Sequence, residues 1–471
     1  MSTPGRRAAQ RRTRPLGTPV RQPEWKLALH SLTRATPPRI ALAMFTALIV
    51  AFTALLSLPA ATTDGVRTDL TDALFTAVSA ICVTGLVTVE TGVHWSTFGL
   101  TVIMIAIKLG GLGLMTVASL LSLSVMHRLG LAQRVITAQE TRAERLAEVG
   151  GVLRIILITS TLFEAITFVA LTPYMVITEH GIGHSMFLGL FYAISAFNNA
   201  GFVPEAAGTA QYVADPFFTI PIGLAVFAGS LGFPVILVVV RKLRTPRKWS
   251  VHAKLTLTTT ALLFLLGFVG FLTLEWSNPA TFGDRPFATK LLGAGFAAVM
   301  PRSGGFATID VGQMTAESRL LTDLLMFIGG GSGSTAGGIR VTTFALLMLA
   351  IWAEVRGNPD VEVFGRRIPQ ETIRQAIGVL VMSATTIFLA TFLMLRMTPY
   401  TLDQTVFEVL SAFGTVGLST GITTSLPTEA KWVLITCMYV GRLGPMTLGA
   451  ALAVRTRVRM IQLPYERPIV G

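Results

Sequence analysis

Four ten-residue stretches of this chain repeat one pattern: AVSAICVTGL at Ala77–Leu86, AISAFNNAGF at Ala193–Phe202, AAVMPRSGGF at Ala297–Phe306 and VLSAFGTVGL at Val409–Leu418. Stacked without gaps, each carries glycine at its ninth position: Gly85, Gly201, Gly305 and Gly417. Each window lies between long apolar segments. A unit that recurs this way is one structural element used four times. The object that satisfies the pattern is a pore of four covalently linked quarters, each contributing one glycine-containing backbone segment.

Composition matters here because it removes the soluble alternatives. Hydrophobic residues make up 52% and charged residues 13%, too little polar surface to cover a soluble chain of 471 residues. Runs able to cross a hydrocarbon core, which takes ~20 helical residues, lie near Ile40–Leu58, Phe98–Val125, Ile155–Ile177, Phe217–Val240, Leu255–Leu274, Leu320–Trp352, Ala376–Leu395 and Val433–Val454. This predicts an all-α membrane protein with eight transmembrane helices. Each window falls between an odd span and the next even one, and the apolar stretch leading into it, Thr71–Cys82 or Leu402–Phe413, is too short to cross. It therefore enters as a half-helix and returns as extended backbone. Such backbone is tolerated at membrane depth only where it is buried in protein or lines water, so four of them imply a pseudo-fourfold central pore.

Lys/Arg asymmetry sets orientation. Arg6, Arg7, Arg11, Arg12, Arg14, Arg21 and Lys26, the link Arg241–Lys254, and Arg455, Arg457 and Arg459 fall on one side, which is then cytoplasmic and holds both termini. Asp64, Glu90, Glu205, Asp310 and Glu317 fall on the other, toward which the windows open. The net charge of +13 thus reflects topology, and no nucleic-acid partner is expected. The lipid bilayer is the first partner. The tail before Trp25 lacks the apolar core of a signal peptide. Trp95, Trp249, Trp276, Trp352 and Trp432 stand near span ends, as interfacial anchors do. Cys82 and Cys437 read as structural thiols, the six histidines form no metal-ligand spacing, and no catalytic site is visible.

A half-helix ending at mid-membrane turns the negative pole of its dipole toward the axis, which favours a cation. The residues that follow, Val83-Thr84-Gly85, Asn199-Ala200-Gly201, Ser303-Gly304-Gly305 and Thr415-Val416-Gly417, can present backbone carbonyls that replace a hydration shell. Glycine tolerates φ > 0 and lets four segments approach one axis. The competing explanation, small residues easing helix packing, does not require four glycines in register. The fourth window contains T-V-G, part of the potassium-channel carbonyl filter. Arg302 sits just before the third segment, and Asn198 and Asn199 in the second window, either bracing the segments from behind or contacting an ion directly.

With these motifs in place, the chain resembles the Trk/Ktr/HKT superfamily of potassium transporters, and within it the bacterial KtrB-type membrane subunits. The resemblance covers nearly everything from about Arg39 onward and rests on the four filter glycines, the RSGGF of the third window and the second spans. With no extra spanning pair before Ile40, the KtrB form is expected over the longer TrkH form. The resemblance implies four M1–pore helix–M2 repeats, placed at 38–127, 150–241, 250–353 and 371–456 between a basic tail, 1–37, and a C-terminal cytoplasmic segment, 457–471. It also implies potassium uptake across the bacterial cell membrane, often sodium-linked. The ions at the filter are potassium and, where linkage operates, sodium, and this chain carries no organic cofactor. The implied assembly is a homodimer, one pore per subunit, on a cytoplasmic KtrA-like RCK ring that binds nucleotide. Pro464–Gly471 resembles the short end that packs between such subunits. A secondary solute transporter with internal repeats is the alternative; it would place discontinuous helices around a midplane ligand site.

Below the windows the repeats differ. Gly111-Leu112-Gly113, Ser230-Leu231-Gly232 and Arg442-Leu443-Gly444 stand at similar distances after their glycines, so Arg442 replaces a small residue. A guanidinium at membrane depth is costly and faces a wet cavity or a partner; on the axis it raises the barrier to cations, unless it snorkels to the interface. The family associates this arginine with gating. The sixth span is interrupted by Gly329-Gly330-Gly331-Ser332-Gly333-Ser334-Thr335-Ala336-Gly337-Gly338, which cannot hold a helix because each glycine costs ~1 kcal/mol. It lacks the GK[ST] ending of a phosphate loop. It reads as a hinge or, by the resemblance, as an intramembrane loop that closes the pore. Lys108 and Glu164 count to comparable depth from opposite ends of spans two and three and can pair. Lys108 departs from the neutral residue usual there in the family.

Overall fold

The computed structural model describes residues 37–113, 142–178 and 181–444. The basic tail and the C-terminal segment, with Arg455, Arg457, Arg459 and Pro464–Gly471, lie outside the described residues, as do the far ends of the second and eighth expected spans.

The helices begin where side chains can take up the unpaired N–H groups of a first turn. Asp69 accepts from Thr71 N to open α2, Leu70–Cys82; Ser96 opens α3, Thr97–Gly111; Asp215 with Pro216 opens α6, Pro216–Leu231. Ser250 opens α8, Val251–Leu274, Thr315 opens α10, Ala316–Phe327, and a Thr401/Gln404 capping box opens α13, Leu402–Phe413. The remaining helices longer than one turn are α1, Pro37–Leu56; α4, Arg142–Ile177; α5, Ile182–Phe197; α7, Phe233–Arg241; α9, Phe287–Val299; α11, Val341–Val355; α12, Gln370–Met397; and α14, Thr428–Leu443. A two-strand hairpin, Glu362–Val363 with Arg366–Arg367, links α11 to α12.

Among the described residues, Ile156–Ile177, Val251–Leu274 and Gln370–Met397 are long and apolar enough to cross a membrane. The fourth expected span is not one straight helix. Its halves, α6 and α7, meet at 99°, because Gly232 adopts φ 91° and Pro234, in the first turn of α7, cannot continue the hydrogen-bond ladder of α6. The same device ends α3 and α14, where Gly113 and Gly444 have φ 82° and 81°. The sixth expected span is interrupted as the glycine run predicts, α10 and α11 being separated by non-helical backbone.

Packing closes these elements into a ring. The short helices α2, α5, α9 and α13 lie against α1, α4, α8 and α12 respectively. Each is also contacted by the helix that follows the preceding short helix: α3 packs on α5, α6 on α9, α10 on α13, and α14 returns to α2. The core is made where they meet, by Phe75, Ile81, Phe197, Phe407 and Phe413, all essentially inaccessible, while Ile166, Leu262 and Phe388 point outward from the long helices. Cys82 and Cys437 are buried free thiols.

At the end of α8, Glu275 accepts hydrogen bonds from Asn278 Nδ2 (2.7 Å), Thr281 Oγ1 (2.6 Å) and Thr315 N (2.9 Å). Burial alone would raise this carboxyl's pKa; the hydrogen bonds outweigh it and hold it below the ordinary value. The link into α9 is thereby fixed to the start of α10.

Candidate ion pathway

Each short helix stops the same way. Val83, Asn199, Ser303 and Thr415 take left-handed φ of 56°, 61°, 75° and 46°, and two residues on, Gly85, Gly201, Gly305 and Gly417 take φ of 93°, 66°, 74° and 96°. Alternation of left-handed residues with ordinary ones turns successive N–H groups to one side of the chain. Here that side is the helix just ended. Val83, Thr84 and Gly85 donate to Ala80 O (3.2 Å), Ser79 O (2.7 Å) and Ser79 Oγ (3.0 Å). Thr415, Val416 and Gly417 donate to Ala412 O (3.2 Å), Ser411 O (2.8 Å) and Ser411 Oγ (3.1 Å). In the second turn Asn199 and Ala200 donate to Ala196 O (3.0 Å) and Ser195 O (2.7 Å); in the third, Gly304 and Gly305 share Met300 O (2.7 and 3.4 Å). With the N–H groups drawn back, the carbonyl oxygens are left for the opposite side.

Those oxygens meet in a closed cycle. The space a side chain would need at Gly85 is filled by Ala200 O; at Gly201 it is filled by Gly305 Cα (2.8 Å) and Gly304 O (3.1 Å); at Gly305 by Val416 O; and at Gly417 by Thr84 O. Each glycine thus faces a carbonyl of the next segment, and the fourth faces the first. All twelve filter candidates come together here, eleven of them buried and Gly417 partly exposed. The requirement for glycine is doubly enforced, by φ and by the neighbour's backbone. Ser303 Oγ adds a bond across the third and fourth segments, donating to Thr415 O at 2.6 Å.

The side chains of Arg302, Asn199 and Asn198 point away from the ring. Arg302 donates to Thr260 O (3.3 Å) and Thr260 Oγ1 (3.2 Å) on α8. The Asn199 amide, oriented by its partners, donates to Val226 O (3.1 Å) and Ala196 O (3.2 Å). Asn198 Nδ2 reaches Glu164 Oε1 (2.8 Å) and Ile194 O (2.8 Å). Bracing from behind is what this geometry supports. Lys108 and Glu164 pair at 2.5 Å.

Immediately beneath lie the glycine run and Arg442. The run is anchored at its base by Gly329 N to Ile339 O (2.8 Å) and Val341 N to Gly330 O (3.1 Å), and to α6 by Gly331 N to Ser230 O (2.8 Å) and Thr335 Oγ1 to Gly229 O (3.1 Å). Gly337 and Gly338 abut Gly414 and Thr415 of the fourth turn. Arg442, 7% exposed, donates to Thr335 O and to Gly110 O (2.6 Å). It is the penultimate residue of α14, held by two carbonyls from different elements. Arg340 in turn donates to Ala336 O and Ser334 Oγ.

Two contributors escape a reading for glycines and charge. Ser79, Ser195 and Ser411 stand third in three of the four windows, and stacking alone reveals them. The third window has Val299, and there both amides go to a backbone carbonyl instead. Glu408, fully buried in α13, accepts from Ser419 Oγ (2.7 Å), Thr420 N (2.8 Å) and Thr423 Oγ1 (2.6 Å), fixing the chain just beyond Gly417. Its signal is a carboxylate in the interior of a helix whose other acid, Asp403, lies in the first turn.

Comparison with known proteins agrees with this architecture. The family model described as "TrkH: Cation transport protein" matches residues 26–457. The chain is 38% identical over 438 residues to the Ktr system potassium uptake protein B of Bacillus subtilis, covering 93% of this chain and 97% of that one. It is 37% identical over 436 residues to the protein of the same name from Vibrio alginolyticus, covering 92% and 95%. It is 35% identical over 427 residues to the potassium/sodium uptake protein NtpJ of Enterococcus hirae, covering 90% and 94%. The crystal structure of the potassium transporter TrkH from Vibrio parahaemolyticus superposes with a TM-score of 0.65 at 19% identity, over 87% of this chain and 84% of that one, which is likeness of fold.

Proposed function

The chain belongs to the TrkH family of cation transport proteins, and from that premise we propose that it is the translocating subunit of a potassium uptake system of the Ktr/Trk type. The reading rests on the closed cycle of carbonyls and glycines formed by Gly85, Gly201, Gly305 and Gly417. Four carbonyl-bearing segments around one axis offer a cation oxygen ligands in place of water, and four short helices direct their negative poles there. The relatives' names, which specify potassium uptake and in one case potassium/sodium uptake, support potassium as the cargo and sodium linkage as part of the activity.

In this reading the repeats at 38–127, 150–241, 250–353 and 371–456 each supply an outer helix, a pore helix and an inner helix, eight spans in all, broken where Gly113, Gly232 and Gly444 turn. The run Gly329–Gly338 and Arg442 form the gate: the run lies under the fourth segment and the guanidinium ties it to α3. The protein sits in the bacterial plasma membrane with both termini cytoplasmic, as a homodimer on a regulatory ring that carries the nucleotide-binding function.

Gly417→Ser tests the pore. At φ 96° and against Thr84 O, a serine displaces the first segment from the fourth. Rubidium uptake into vesicles containing the wild-type protein is expected to be competed by potassium far better than by sodium, and the variant is expected to lose that preference. Uptake whose ion preference ignores the substitution would overturn the reading.

A further inference from the structure

The Lys108–Glu164 pair has a third member that a simple ion bridge does not require. Glu164 accepts from Lys108 Nζ at Oε2 (2.5 Å) and from Asn198 Nδ2 at Oε1 (2.8 Å). Ser160, one turn earlier on α4, accepts from Lys108 Nζ (2.8 Å) and donates to Glu164 Oε1 (3.1 Å). The three principal residues come from α3, α4 and the end of α5. Glu164 and Asn198 are 6% and 1% exposed.

Asn198 immediately precedes the left-handed Asn199 and the carbonyl-bearing Ala200 and Gly201. Its amide nitrogen is divided between Glu164 and its own helix at Ile194 O (2.8 Å), and its Oδ1 lies where any side chain on Gly111 would have to go. The end of α5 is therefore tied to an acceptor oxygen on another helix. A buried carboxylate survives in apolar surroundings only when its charge and its lone pairs are both met. Lys108 meets the charge, Ser160 and Asn198 fill the lone pairs, and the bond to Asn198 carries the constraint into the ion-lining turn.

We propose that Lys108 and Glu164 are positioning residues for the second carbonyl segment: they hold Asn198, and through it Asn199–Gly201, in the placement that distinguishes potassium from sodium. The proposal rests on the pore reading above. It differs from membrane glue, in which the pair only fastens α3 to α4, in what two double variants should do.

Lys108→Gln/Glu164→Gln removes both charges but leaves an amide oxygen facing Asn198. Lys108→Glu/Glu164→Lys keeps the ion pair but sets an ammonium against the Asn198 amide, and an amide flip to meet it would abandon Ile194 O. In rubidium uptake by reconstituted vesicles, with potassium and sodium competing, the glutamine pair is expected to keep the wild-type preference within about twofold and the swapped pair to lose about tenfold, the scale of one charge-assisted hydrogen bond. The swapped protein should nonetheless melt near the wild-type temperature. Glue predicts the reverse order, and either that order or equal preference in the two variants overturns the positioning role. Should the swapped variant fail to elute as a folded protein in detergent, Lys108→Met/Glu164→Met, neutral and without an acceptor, replaces it in the comparison with the glutamine pair; equal preference again overturns the proposal. Absence of potassium-competed uptake in the wild-type protein would overturn the pore reading itself and the proposal with it.

Discussion

Val83 and Thr415 are β-branched residues with φ of 56° and 46°, a conformation that costs an L-residue roughly 1–2 kcal/mol. What holds them there is the backward pull of three consecutive amides in each turn, the last of them onto a serine hydroxyl. Ser411→Ala leaves the partly buried Gly417 N–H without its acceptor, a loss of up to about 1–3 kcal/mol. Sodium should then compete more strongly for rubidium uptake. Val299→Ala, at the same window position in the third repeat, should leave competition unchanged, because both amides there use Met300 O; equal effects of the two changes would mean that the serine is not the brace. The glycines were legible in the sequence because positive φ and close backbone approach are demands that glycine alone meets readily. The serines carry no such signal, since a hydroxyl six residues before a glycine means nothing until the chain curls back on itself. No sequence rule nominates a valine for a left-handed turn.

At the scale of elements, hydropathy found the apolar segments but misjudged their continuity. Phe217–Val240 reads as one span because its composition is uniformly apolar, and an isolated glycine costs a helix only ~1 kcal/mol. Gly232 breaks it because the glycine run docks there: Phe233 N donates to Gly333 O (3.3 Å), and Ser332 O stands 2.7 Å from where a Gly232 methyl would lie. A long-range contact thus decides a local conformation. Gly232→Ala meets both the steric block and the left-handed φ, and it should loosen the run from α6. Its expected signature is a raised uptake rate with a lowered melting temperature. A variant that is destabilised yet transports at the wild-type rate would separate the run from gating. The L-G dipeptides at 112–113, 231–232 and 443–444 were legible as a repeat, while their role as helix ends needed the φ values of Gly113, Gly232 and Gly444.

Across the whole molecule, ring closure requires one seam that no covalent link maintains, between the fourth repeat and the first. Lys431 of α14 and Asp72 of α2 meet there at 2.6 Å, with side chains only 13% and 17% exposed. The seam between the third and fourth repeats has a similar pair, Arg319 with Asp403 at 2.8 Å, but Asp403 is 39% exposed and the chain itself joins the two repeats. Each pair fastens α14 or α10 to the acidic first turn of the next short helix, α2 or α13, where a carboxylate also complements the helix dipole. Nothing local in the sequence couples residues this far apart; only closure of the ring brings them together. Breaking a largely buried pair by removing one charge strands the other, at a cost of up to about 3–5 kcal/mol, whereas an exposed pair contributes about 0–1 kcal/mol. Asp72→Asn should therefore lower the melting temperature in detergent clearly more than Asp403→Asn, and Lys431→Met should recover part of the loss when combined with Asp72→Asn. Equal shifts for the two aspartates would mean that the open seam is held by apolar packing of α14 on α2 and not by its charges.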